Sequence, residues 1–198
     1  MLTPFLDLEE NMKNIKSYLI TDPNYFSDNK EIFKEKLIAV LKNHKIDFAC
    51  FRDKSSKNIE ELAKIFLQIC KEFKIENILI NSNISLAIKL GFDGVHLNSQ
   101  QFDKIENAKK SNLITIISCH NLEELDKAKN KNIDFVTYSP IFDTPNKGQS
   151  KGVDKLNEVI EKFPNLKIFA LGGIIQNEQI KEIEKTKAYG FASIRYFI

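Results

Sequence analysis

The strongest constraint in this chain is an alternation. Eight short apolar runs, at 17–21, 47–51, 77–80, 92–97, 113–117, 134–138, 168–171 and 189–195, are separated by helical patterns at 32–41, 58–73, 84–90, 102–110, 122–130, 154–163 and 178–185. Short runs of this kind are the mark of strands buried on both faces, and helices between them imply parallel β/α units. Eight such units close a sheet on itself. The expected fold is therefore α/β, a single (β/α)₈ TIM barrel spanning 1–198. The rival, an open doubly wound sheet, lacks a Gly-x-Gly-x-x-Gly after its first strand. Thr3-Pro4 followed by Phe5, Leu8, Met12 and Ile15 predicts a short leading helix. After the eighth strand come Tyr196, Phe197 and Ile198, so the helix after strand 8 is missing from the pattern. The leading helix, or a second copy in a homodimer, is expected to cover that strand.

Charge narrows the partners. With 29 basic and 27 acidic residues spread along the chain, the net charge is +2. No nucleic-acid or anionic-membrane partner is expected, whereas a phosphorylated small molecule needs only a local cluster of cations. The opening Met1-Leu2-Thr3-Pro4-Phe5 has no basic flank, and no apolar run approaches the ~20 residues that span a bilayer, so a cytoplasmic protein is expected. Cys50, Cys70 and Cys119 are odd in number and widely spaced, which argues against both a disulfide framework and a zinc site.

In a barrel of this kind the chemistry sits at the C-terminal ends of the strands, with phosphate sites near the last two. The run Ile168-Phe169-Ala170-Leu171 ends in Gly172-Gly173, and a helical pattern follows. That order leaves backbone N–H groups free beside residues with no side chain, a candidate phosphate cradle. Other strand ends supply Arg52 and Lys54, Asn81, His96, Ser118 and His120, Ser139, and 193–195, with Thr144 and Lys147 in the long loop after strand six. Alternation puts Cys50, Arg52 and Lys54 on one face and Ser118 with His120 on one face. An inward Arg–Lys pair suits an anion. His120 is the candidate acid/base, because an unperturbed imidazole titrates near pH ~6.5. His96 is expected to cap its strand, His44 to be solvated at the other end of the barrel, and Cys119 to face outward.

These residues together resemble the thiamine phosphate synthase and thiazole tautomerase superfamily. Tyr18-Leu19-Ile20-Thr21-Asp22 is similar to the family's first strand, and Phe51-Arg52-Asp53-Lys54 to its second-strand end. Leu79-Ile80-Asn81 and Asp93-Gly94-Val95-His96-Leu97 resemble its third and fourth strands. Pro140-Ile141-Phe142-Asp143-Thr144 with Lys147 looks like its loop after strand six, and Leu171-Gly172-Gly173-Ile174 like its phosphate turn. The resemblance implies a (β/α)₈ barrel of thiamine biosynthesis acting on a phosphorylated thiazole.

The departures bear on which reaction it is. The resemblance implies that synthases, which join a pyrimidine diphosphate to a thiazole phosphate, hold Mg²⁺ through two aspartates; here those positions are Ser82 and Gln101. Neither supplies the anionic oxygen a hard cation prefers. The pyrimidine-reading glutamine is replaced by Cys50, and a usual glycine by Ser139. Ser118-Cys119-His120 aligns with the Ser-x-His of the tautomerases. The expected activity is therefore that of a thiazole tautomerase-like isomerase, metal-free, with His120 moving the proton. Gly172, Gly173, Ile194 and Arg195 would hold the phosphate, and Arg52, Lys54, Asn81, Ser118, Thr144 and Lys147 would contact substrate. The alternatives are a Mg²⁺-dependent thiamine phosphate synthase and a barrel that only binds a thiamine precursor.

Overall fold

The structure, a computed structural model, describes residues 15–145 and 147–198. The expected leading helix falls on residues outside these. Eight parallel strands form a closed barrel in sequence order, with β8 paired to β1. They are β1 (Lys16–Ile20), β2 (Phe48–Phe51), β3 (Asn77–Asn81), β4 (Gly94–Leu97), β5 (Ile114–Cys119), β6 (Phe135–Tyr138), β7 (Ile168–Leu171) and β8 (Gly190–Ser193). Between them run α1 (Pro23–Phe26), α2 (Lys30–Asn43), α3 (Ile59–Glu72), α4 (Ile84–Leu90), α5 (Ile105–Lys110), α6 (Leu122–Asn130), α7 (Gly152–Lys162) and α8 (Asn177–Glu184). One element was not foreseen: Asp22-Pro23-Asn24 reads as a break, yet it starts α1. Asp22 accepts a hydrogen bond from the Asn24 N–H at 3.1 Å, and Pro23 fills the first turn, where its missing N–H costs nothing.

Two apolar layers follow from strand alternation. Tyr18, Phe48, Cys50, Leu79, Ile116, Phe135 and Phe169 fill the barrel interior, while Ala49, Phe51, Val95, Leu97 and Cys119 face the helices. Inside, Phe48 meets Phe169 and Phe135 edge-on, with ring centroids at 5.1 and 5.2 Å. Truncating such a ring to alanine costs about 3–5 kcal/mol. This interior is a packed plug, so any ligand is confined to the mouth above it. Close approach also fixes Gly94: a Cβ there would lie 2.4 Å from the Ile114 carbonyl oxygen, so only glycine lets β4 reach β5.

The opposite rim is locked by a repeated device. Asp47, Asp93 and Asp134 stand just before β2, β4 and β6. Each accepts from a backbone N–H of the preceding strand: Ser17 at 2.9 Å, Ile78 at 2.9 Å and Thr115 at 2.8 Å. These bonds satisfy strand-end donors that no ladder partner reaches.

Past β8 comes a one-turn 3-10 helix, Arg195–Phe197. It folds Phe197 back over the outward ring of Phe191, centroids 5.8 Å apart and nearly parallel. His44, expected to be solvated, is half-buried against this turn, 5.5 Å from Phe197 and 5.9 Å from Tyr196. Burial holds its pKa below the ordinary imidazole value. The correction has a plain cause: the rings that shield His44 come from the far end of the sequence.

Candidate active site

At the C-terminal ends of the strands an open cavity of about 620 Å³ spans the barrel mouth. Every residue expected of the site lines it: Arg52, Lys54, Asn81, Ser118, His120, Thr144, Lys147, Gly172, Gly173, Ile194 and Arg195. They come from six strand ends, those of β2, β3, β5, β6, β7 and β8, which is how a barrel gathers residues distant in sequence.

The glycine turn after β7 is set by geometry. Gly172 and Gly173 have φ of +98° and +72°, and a Cβ on Gly173 would lie 2.5 Å from the Phe142 carbonyl carbon. Glycine is required here by backbone conformation and by the loop after β6, which leans against the turn through Ile141 N–H to Leu171 O and Phe142 N–H to Gly172 O, both 3.0 Å. The Ser193 hydroxyl, buried, donates to Ile174 O at 2.8 Å and accepts from Tyr196 N–H at 3.1 Å, tying the loops after β7 and β8 together. Gln179 secures the turn from below, donating to Gly173 O at 2.7 Å. Among the described residues the N–H groups of Gly173, Ile194 and Arg195 meet no protein acceptor. Three free donors on two tied loops are the arrangement from which anion sites are built.

Beneath the mouth runs a buried polar line that sequence reading missed. The Tyr18 hydroxyl lies 2.9 Å from His96 Nδ1, and His96 Nε2 lies 3.1 Å from Ser118 Oγ. Burial, with help from the Arg52 charge, pushes the His96 pKa down to about 4, so the ring is neutral near pH 7. The expectation that His96 merely caps its strand is replaced by an inward ring bonded on both nitrogens. Alternation from Val95 and Leu97, both outward, was the available signal.

Other side chains are already engaged. Arg52 Nη1 is paired with the Asp22 carboxylate, which aims the guanidinium while leaving it at the cavity wall. The Thr144 hydroxyl donates to Phe142 O at 3.0 Å. His120 is exposed at the rim, its Nδ1 3.2 Å from Ser139 Oγ and 3.3 Å from Ser139 O. Ser139, standing where the resemblance implies a glycine, anchors this imidazole. Cys119 faces outward as expected, and Cys50 lies wholly below the cavity, its thiol pushed up to about 12 by burial. Neither is a nucleophile.

The positions where the resemblance placed magnesium ligands do not fit that ion. Gln101 is buried, with Oε1 accepting from Asn98 N–H at 3.1 Å and Nε2 donating to Ser82 O at 3.2 Å. Asn81 Nδ2 donates to His96 O at 3.0 Å. Ser82, Gln101 and Asn81 are neutral, and Gln101 is spent on clamping the loops after β3 and β4. Among the described residues no cluster of carboxylate, imidazole or thiol groups could hold a metal. No described helix is long and apolar enough to cross a membrane.

A family model described as thiamine monophosphate synthase matches residues 17–197. A relative in Aquifex aeolicus, provisionally named a second thiamine-phosphate synthase, is 37% identical over 186 residues, covering 91% of this chain and 96% of the relative. Thiamine-phosphate synthase 1 of Streptococcus pneumoniae is 31% identical over 154 residues, covering 73% of this chain and 72% of the relative. Among solved structures, a thiamine phosphate pyrophosphorylase from Pyrococcus furiosus superposes with a TM-score of 0.77 at 26% identity, covering 91% of this chain and 85% of that one. These names overturn the tautomerase expectation and with it the isomerase assignment: the relatives are synthases, which are transferases. The Ser-x-His run that favoured the isomerase is compatible with either reaction.

Proposed function

We propose that this chain, which belongs to the thiamine monophosphate synthase family, is itself a thiamine-phosphate synthase, joining a pyrimidine diphosphate to a thiazole phosphate with release of diphosphate. The names of the relatives, reaching along most of the chain, support this most directly. The observation that carries it in the structure is a mouth with an anion seat on one side and cationic side chains on the other.

The coupling needs one bond made and one broken. A lone pair of the thiazole enters the carbon that carries the diphosphate, the carbon–oxygen bond breaks, and the diphosphate leaves with its electrons. No proton has to move, so the reaction asks for orientation and for charge stabilisation at the leaving group. The N–H groups of Gly173, Ile194 and Arg195 hold the thiazole phosphate. Lys54 faces the leaving diphosphate, and Arg52, aimed by Asp22, supplies a second positive charge. Asn81 and Ser118 offer short polar contacts from β3 and β5, and Thr144 and Lys147 close the seat from the loop after β6. His120, bonded through Nδ1 to Ser139, is a polar rim contact with no acid/base duty.

The test is direct. Purified protein given both substrates should form thiamine phosphate and diphosphate in equal amounts. Absence of product under conditions where both substrates bind would refute the proposal.

A further inference from the structure

Beside the main cavity lies a second, of about 640 Å³, opening among the loops after β2, β3 and β4. Lys54, Asn81 and Asn98 line both, so the two form one groove across the mouth. Lys104, from the 3-10 turn Phe102–Lys104 that precedes α5, lines this second cavity and not the first. We propose that this end of the groove binds the substrate's diphosphate directly through the Lys54 and Lys104 ammonium groups, with no divalent cation between; the ligand's identity rests on the synthase reading above.

The donor set points this way. A divalent ion beside Asn81 would need anionic oxygens, and the nearby positions offer a serine and a buried, fully engaged glutamine. Asp53 also lines this cavity, but it is committed. Its Oδ1 accepts from the Ser55 and Ser56 N–H groups, both at 3.0 Å, and its Oδ2 from the Ser56 hydroxyl at 2.5 Å. The lysines are uncommitted. Lys64 and Lys89 are both paired with Glu60, at 2.9 and 2.7 Å, whereas among the described residues Lys54 and Lys104 have no carboxylate within ion-pair reach.

Two ammonium groups without carboxylate partners among the described residues line the same cavity. A diphosphate suits them: it is a polyanion with oxygens on two phosphorus atoms, and each ammonium offers three donors on a flexible stem. Lys104 thus provides the positive charge that carboxylates and a metal would otherwise bring.

The experiment is calorimetric titration of inorganic diphosphate into the full chain, in EDTA and again with Mg²⁺, so that it reads binding without turnover. Saturable binding in EDTA is expected. Lys104→Gln should weaken it about tenfold, the loss of one charge-assisted contact. Lys104→Arg should retain most of the affinity. Lys104 is exposed, so these substitutions leave the fold in place, which a thermal melt checks. The double change Ser82→Asp with Gln101→Asp should abolish binding in EDTA and restore it with Mg²⁺. Binding by the wild-type chain only with Mg²⁺, equal affinity of Lys104→Gln and wild type in EDTA, or no binding in either condition would overturn the proposal. Diphosphate binding in EDTA without any coupling of the two substrates would instead remove the synthase reading and leave the subsite standing.

Discussion

His96 offers a prediction whose size comes from the structure. Its ring is 3% exposed, bonded to Tyr18 and Ser118, with a pKa near 4 in the fold against about 6.5 when exposed. The folded value lies below the unfolded one, so the unfolded chain takes up the proton first as pH falls. Stability is intact above about pH 6.5 and is lost progressively toward pH 4. Between pH 7 and pH 5 this single group should remove ~1.5–2 kcal/mol, because at pH 5 the unfolded imidazole is nearly all charged and the folded one nearly all neutral. Urea denaturation followed by circular dichroism, at both pH values, measures it. His96→Gln cannot titrate, so its loss over the same interval should be smaller by that amount. Comparing slopes cancels any fixed penalty from replacing the ring and any other group that titrates equally in both proteins. Equal slopes in wild type and variant would refute the claim that a buried neutral histidine sits under the mouth.

Three further outcomes are expected. Gly173→Ala places a side chain at φ +72° and 2.5 Å from Phe142, so it should lower stability by at least ~2 kcal/mol, a fall in Tm of about 4–8 °C by calorimetry, and weaken thiazole phosphate binding. Asp134→Ala leaves the buried Thr115 N–H without its acceptor on the rim away from the site; unfolding experiments should show about 1–3 kcal/mol lost, with kcat unchanged. His120→Gln should reduce coupling by less than about tenfold in kcat. A drop of about 10²–10⁴, the usual cost of removing a proton-transfer group, would restore an acid/base role to this residue.

The barrel was legible because strand parity and strand ends are local properties. Apolar runs with no polar alternation mark strands covered on both faces, and whatever follows each run must emerge at one rim. That is why Arg52, Asn81, Ser118, His120 and the Gly172-Gly173 turn, spread over more than half the chain, could be assigned to a common mouth. Residues whose meaning depends on a distant partner were not legible. His44 reads as a surface histidine until Phe197 arrives across it, and Gln101 as a polar loop residue until it is seen to bridge Asn98 and Ser82. Asp47, Asp93 and Asp134 each stand one residue before their strand core, a repeated placement visible in the sequence, but its purpose shows only once the neighbouring strand is paired.

The choice of reaction failed for a different reason. Ser82 and Gln101 correctly indicate that the two expected aspartates are missing from one end of the groove, but their loss speaks only to how a diphosphate's charge is met, and leaves open whether a diphosphate is bound. Equating loss of a metal's ligands with loss of the reaction assumes that no other positive charge can stand in. Lys104, three positions after Gln101 and facing the same groove, removes that assumption. The motif on the other side was equally indecisive, since an imidazole at the rim after β5 is useful as an acid/base only if a proton must move. In a coupling whose leaving group carries off the electron pair, the residues that matter are those that hold two anions at a fixed separation, which on the proposed reading are the glycine turn and the lysines.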